Sequence, residues 1–129
     1  MAIRVVRLGA PRAKDEGIRV GTVRRPPRGV RKEDYARLDF YDVWLPQLSP
    51  SQELLGWIKG RHDMASSWKQ FEKRFEHELS TPDNQRLLDF LAALSKETSF
   101  SIGCFCEDER ICHRSTLKKL LEKRGALLR

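Results

Sequence analysis

Apolar and polar positions alternate over residues 3–8, where Arg4 and Arg7 interrupt an otherwise aliphatic run, and this alternation predicts a first strand. A polar connection over residues 9–17 leads to a second predicted strand over 18–23, with Ile18 and Val20 on one face. The next segment, Arg24-Arg25-Pro26-Pro27-Arg28-Gly29-Val30-Arg31-Lys32, holds two prolines and a glycine, which exclude regular structure. It reads as a stiff, strongly basic loop. Residues 33–38 suit a helical turn, and the aromatic run over 40–45 suits a short strand or a buried extended piece.

Helical spacing then takes over. Ser49-Pro50-Ser51-Gln52 predicts a helix start, with Ser49 as N-cap, Pro50 at the first position and Gln52 closing a capping box. Leu54, Leu55, Trp57 and Ile58 give that helix its buried side, and Gly60 ends it. Ser67-Trp68-Lys69-Gln70 predicts a second capping box, followed by the stripe Trp68, Phe71, Phe75 and Leu79. Thr81-Pro82 opens a third helix with Leu87, Leu88, Leu91 and Leu94 inward.

The final stretch, FSIGCFCEDERICHR over residues 100–114, reads as a strand, an acidic loop and a helix start. Phe100, Ile102 and Phe105 make the apolar run. Leu117, Leu120 and Leu121 recur at helical spacing beyond Ser115, lysines and Arg124 fill the other face, and Gly125 stops the helix. Two strands, then helices, then a strand and a helix predict a compact α/β domain spanning residues 1–129, its small, mainly parallel sheet covered by helices; a two-layer α+β arrangement is the alternative. No internal repeat or interdomain linker is evident.

Charge adds a partner class. The formal net charge of +7 favours an anionic small molecule or nucleic acid. Basic residues are spread along the chain apart from the 24–32 cluster, which departs from the dense basic runs of dedicated nucleic-acid binders. No apolar run reaches the ~18 residues of a membrane span, and the charged start MAIRVVRL does not read as a signal peptide. Three cysteines confined to one segment are not a secreted disulfide framework, so a reducing cytoplasm is the expected setting. No cofactor is assigned.

The chemistry concentrates where the cysteines are. Cys112, His113, Arg114 and Ser115 fall at a predicted helix start, where free N–H groups and the helix dipole favour anions and depress a thiol pKa. Cys104 and Arg110 stand at the C-x5-R spacing of phosphatases and sulfurtransferases, but Glu107, Asp108 and Glu109 between them would repel a phosphate. Cys104, Cys106, Cys112 and His113 have the ligand types of a zinc site at an unusual spacing, C-x-C-x5-C-H. A reversible Cys106–Cys112 disulfide is a further alternative. The plainer reading makes Cys104 a small buried hydrophobe, Cys112 a packed helix-start residue and Arg114 a surface partner of Glu107 or Asp108. His62 and His77 read as structural, and the Trp68 stripe as core.

These residues resemble a known family. CFCEDERICHRSTLKKLLEKRG looks like the C-terminal signature of DUF488 proteins, in which a strand-end cysteine precedes a Cys-His-Arg-Ser helix start. The middle of the chain, from PPRGVRKEDYARLDFYDVWLPQLSPSQELLGW through W-x2-F-x2-RF-x2-EL, resembles the YeaO-like branch. The resemblance implies a small α/β protein and marks Pro27, Arg28, Gly29, Cys104, Cys112, His113 and Arg114.

The expectation is therefore one cleft, lined by the 24–32 loop and by residues 104–115. Arg25, Arg28, Arg114 and Ser115 would hold an anion there, and Cys104 or Cys112 with His113 would be the reactive pair. The alternatives are a non-catalytic nucleic-acid- or protein-binding module, or a zinc-stabilised fold. The cleft requires both loops to open on the same edge of the sheet.

Overall fold

The computed structural model describes residues 2–106 and 112–129. Its strands β1 (Ile3–Arg7), β2 (Ile18–Gly21), β3 (Val43–Trp44) and β4 (Phe100–Cys104) form an all-parallel sheet in the order β1-β4-β2-β3. Helices α1 (Gln52–Lys59), α2 (Met64–Glu78) and α3 (Pro82–Leu94) come between β3 and β4, and α4 (His113–Lys123) follows β4. The fold is α/β, as the order of patterns predicts. Among the described residues no helix is long and apolar enough to cross a membrane.

Strand β4 enters last and fills the centre. Phe100 pairs with Ile3 on one side and Ile18 on the other, so the three strands start level and end on one edge. Parity along the strands separates two environments. Ile3, Val20, Phe100 and Ile102 join Leu54, Ile58, Phe71, Phe75, Leu88, Leu91 and Leu117 in one core, so residues of all four helices pack with the sheet. The opposite parity is covered by irregular chain. Arg19 and Glu16 form a fully buried ion pair there, with Nε–Oε2 at 2.7 Å. Ser101 donates to the same carboxylate, and the second guanidinium branch reaches the carbonyls of Ala10 and Asp39. Hydrogen bonds from Arg19, Ser101 and the Ala13 N–H overcome the cost of burial and lower the Glu16 carboxyl to about 2. Two glycines of this parity allow close cover: a Cβ on Gly21 would stand 2.4 Å from the Tyr41 ring, and one on Gly103 2.8 Å from Leu8.

Several element ends differ from the sequence reading. The cap of α1 is Ser51, whose hydroxyl accepts from the Leu54 N–H, and Ser49 is instead a buried residue whose carbonyl accepts from Arg24. Helix α2 starts four residues before the predicted Ser67 box. Asp63 caps it by accepting from the Ser66 N–H, and its carboxylate suits the positive end of the helix dipole. The 40–45 run yields only the two residues of β3. The predicted turn at 33–38 is a 3-10 turn at Lys32–Asp34. Phe105 lies beyond β4, exposed, with its ring edge-on to Phe40. The other predicted caps hold: Thr81 opens α3, and Gly125 follows α4 with φ +79°. The outer side of β1 meets residues 127–129, where Ile3 exchanges hydrogen bonds with the Leu127 carbonyl and the Arg129 N–H.

Candidate functional site

Because the sheet is parallel and β2 pairs with β4, the chain leaving Gly21 and the chain leaving Cys104 emerge side by side from the carboxyl edge. The Thr22 N–H and hydroxyl bond the Gly103 carbonyl, which fixes this corner. Helix α4 begins beneath it, with Cys112 as its N-cap residue.

Three sulfurs meet there. The Sγ atoms of Cys104, Cys106 and Cys112 all lie within 4.8 Å of one another, and all three thiols are free. Cys104 and Cys112 are each 1% exposed and sit 2.6 Å apart, packed among Leu8, Val23 and Tyr41. Cys106 Sγ lies within 4.8 Å of both, so the Cys106–Cys112 pair named as an alternative also falls inside this cluster. Cys106 is exposed. The Cys104 thiol is pushed up, because it serves as donor to Cys106 and Cys112 and is buried. Cys112 also ends up raised, by its bond to Cys106 and by burial, against a lowering contribution from Cys104. Cys106 is shifted far down: the other two thiols donate to it, and the Arg114 charge favours the thiolate. The sulfur in reach of solvent is the one best held as a thiolate.

His113 is buried, and burial lowers it to about 4, so it is neutral near pH 7. Its Nε2 lies 2.6 Å from the Thr22 carbonyl, which requires the N–H on that nitrogen. Nδ1, 3.8 Å from Cys112 Sγ, therefore carries the lone pair. The Phe75 ring packs edge-on against the imidazole. Thr22 and Phe75 were not singled out from the sequence. Thr22 was placed inside the second predicted strand and Phe75 in the core stripe, neither with a role at the site.

Arg114 is not a surface residue. It is 3% exposed and bridges the ends of β1 and β4 by donating to the Val6 and Cys106 carbonyls at 2.6 and 2.7 Å. Its buried Nε has no hydrogen-bond partner among the described residues. Ser115 donates back to the Cys112 carbonyl. In the basic loop, Arg24 is tied to the Ser49 and Pro50 carbonyls, whereas Arg25 and Arg28 are exposed and make no hydrogen bond or ion pair among the described residues. The structure thus gathers Cys104, Cys106, Cys112, His113 and Arg114; it places the loop on the same edge without a described contact between its arginines and the sulfurs. Residues 107–111, including the acidic triplet and Arg110 of the C-x5-R spacing, lie outside the described residues. His62 is exposed, and His77 lines a recess of about 400 Å³ between α1 and α2.

No curated protein and no solved structure matches the chain. Residues 3–125 match the family model DUF488-N3a, described as the active DUF488-N3 subclade. The match does not extend to the YeaO-like branch. Because it covers nearly the whole chain, including the cysteine segment and the basic loop, the protein belongs to the DUF488 family.

Proposed function

We propose that the carboxyl edge of the sheet, within a single domain of residues 1–129, is a thiol-dependent site for an anionic small molecule, with Cys106 as the reactive sulfur. One observation carries this reading: three sulfurs share a space 4.8 Å across, one open to solvent and two buried. Cys104 and Cys112 serve as donors that hold the Cys106 thiolate, and the neutral His113 turns Nδ1 toward Cys112. Arg114 holds the Cys106 carbonyl and keeps positive charge beside the sulfurs. The first turn of α4 with Ser115, and the exposed Arg25 and Arg28 on the same edge, supply attraction for the anion. The word "active" in the subclade's description supports an enzyme over a passive binding module. A reducing cytoplasm suits three free thiols.

Iodoacetamide labelling across pH 5–9, read residue by residue by mass spectrometry, tests this. Cys106 should label alone, half-maximally well below the ~8.5 of an ordinary thiol, with Cys104 and Cys112 protected until the protein unfolds. Equal labelling of the three, or ordinary titration of Cys106, would reject it.

A second reading has its own support. The His113 imidazole donates Nε2–H to a backbone carbonyl and turns Nδ1 toward a sulfur, as metal-ligating histidines do. Cys104, Cys106 and Cys112, with His113 as fourth ligand, would suit zinc after the sulfurs separate. One zinc per chain by elemental analysis would establish this reading and remove the free nucleophile.

A further inference from the structure

The sulfur cluster has an aromatic neighbour. Past the ends of β2 and β3 lies a recess of about 300 Å³, walled by Tyr35, Tyr41 and Trp44, with Pro26 and Lys32 from the basic loop. Tyr41 belongs to two places at once. It lines this recess, and it packs in the same apolar cluster as Cys104 and Cys112. Its ring lies across Gly21, the last residue of β2, and edge-on to Tyr35.

The recess has an unfilled requirement. Tyr41 is 4% exposed, and its buried hydroxyl has no hydrogen-bond partner among the described residues. An unsatisfied buried hydroxyl is costly, and because this one has almost no accessible surface, a polar-edged ligand relieves that cost by the ring turning toward the recess. The wall's other polar groups are spoken for or free in a telling pattern. The Asp42 carboxylate is bound by Arg12 and by the Arg19 N–H, and the Trp44 indole N–H is held by the Val23 carbonyl. That bond fixes the indole while the residue stays 40% exposed. Lys32, opposed at the rim by Glu33, is joined in sequence by the exposed Arg25 and Arg28. Flat aromatic surfaces, a hydroxyl lacking a partner and a cationic loop call for a planar ring with polar edges that bears negative charge.

We propose that this recess is the ring subsite of the edge, and that its ligand class is a nucleotide: the heteroaromatic base lies against Trp44 and Tyr41, and the phosphate faces the basic loop. The proposal rests on the anionic-site reading for its location but not on any thiol reactivity.

Isothermal titration calorimetry with adenosine, guanosine, cytidine and uridine 5′-monophosphates tests it, with the matching nucleosides and inorganic phosphate as separate arms. At least one nucleotide should bind, more tightly than its nucleoside or phosphate alone. Tyr41→Phe should weaken it up to about tenfold, the scale of one neutral hydrogen bond. Trp44→Leu should weaken it about tenfold or more, the scale of a lost stacking platform. Because Tyr41→Phe removes only an unpartnered hydroxyl, its melting temperature should equal or exceed that of the parent, so it remains informative if Trp44→Leu fails to fold. Absence of binding by all four nucleotides overturns the proposal. So does binding that both variants leave intact, or phosphate alone binding as tightly. Nucleotide binding sensitive to Tyr41 alongside an ordinary Cys106 titration would reject the thiol reading and keep this one; a low Cys106 pKa without nucleotide binding would do the reverse.

Discussion

Two buried polar clusters lie on this sheet, and they are built to different standards. Around Arg19, the ion pair with Glu16 is completed by Ser101, the Ala13 N–H and two carbonyls, all closely spaced. Around Cys112, two buried thiols crowd each other, a neutral imidazole keeps a lone pair beside sulfur, and Arg114 leaves its Nε without a partner among the described residues. A closed network of this kind holds irregular chain against a sheet. Loose ends in a buried polar cluster are a cost that stability alone does not explain, and such unsatisfied groups point to a role beyond holding the fold together. The first cluster therefore fastens the fold, and the second is where we propose that function lies.

The largest expected effect attacks the closed cluster. Arg19→Met strands the Glu16 carboxylate in the interior and should destabilise the protein by about 3–5 kcal/mol in urea titrations. A loss below ~1 kcal/mol would show that the pair is not the fastening described here.

Acid titration separates the clusters by pH window. The Glu16 carboxyl is lowered in the folded state, so its contribution is present above the unfolded value near 4.5 and is lost as pH falls toward about 2. His113 is a base with a lowered folded value. The unfolded chain binds the extra proton between about 6.5 and 4, so stability falls as pH drops through that window, by on the order of 3 kcal/mol at most. Glu16→Gln should flatten only the lower limb and His113→Gln only the upper one, measured as unfolding free energy against pH. A single limb unaffected by either substitution would break the distinction.

Gly103 stands between the clusters, one residue after Ile102 and one before Cys104. Gly103→Ala would press a methyl against Leu8 and the Val6 carbonyl and should cost about 1–3 kcal/mol by urea unfolding. The smallest effect should come from Arg28→Ala. Exposed and without a described partner, this residue should change stability by no more than ~0.5 kcal/mol. The same substitution should weaken nucleotide binding in calorimetry; unchanged binding would detach the loop from the site.

The comparison also explains what sequence could and could not convey. Among the described residues, period-two and period-3.6 patterns located β1, β2, β4 and the helices α1 to α4, whose apolar faces meet in the core; the 40–45 run stayed between a strand and a buried extended piece, and Val43 and Trp44 of β3 are exposed. Helix starts were less legible: Ser49, Ser51, Asp63 and Ser67 are all acceptable caps, and tertiary ties decide among them, such as Glu78 bonding the Ser51 N–H and hydroxyl. At the site, the clustering of Cys104, Cys106, Cys112 and His113 was visible as spacing. The exchange of roles among the sulfurs was not, because hydrogen bonds among the three sulfurs, with burial, decide which thiol stays protonated. Nor did the chain announce Tyr41, which reads as one more aromatic in a short strand and reaches the site only through the glycine beneath its ring. Arg19 looked like the polar half of an alternation, and nothing local revealed Glu16 as its partner.

The short segment 127–129 has a practical consequence through its pairing with β1. It occupies hydrogen-bonding groups that would otherwise offer a template to other chains. Trimming those residues in an expression clone should leave the folded centre intact yet invite intermolecular strand pairing and precipitation. The opposite border needs less shielding, since β3 contributes only Val43 and Trp44, too little backbone for a stable additional strand.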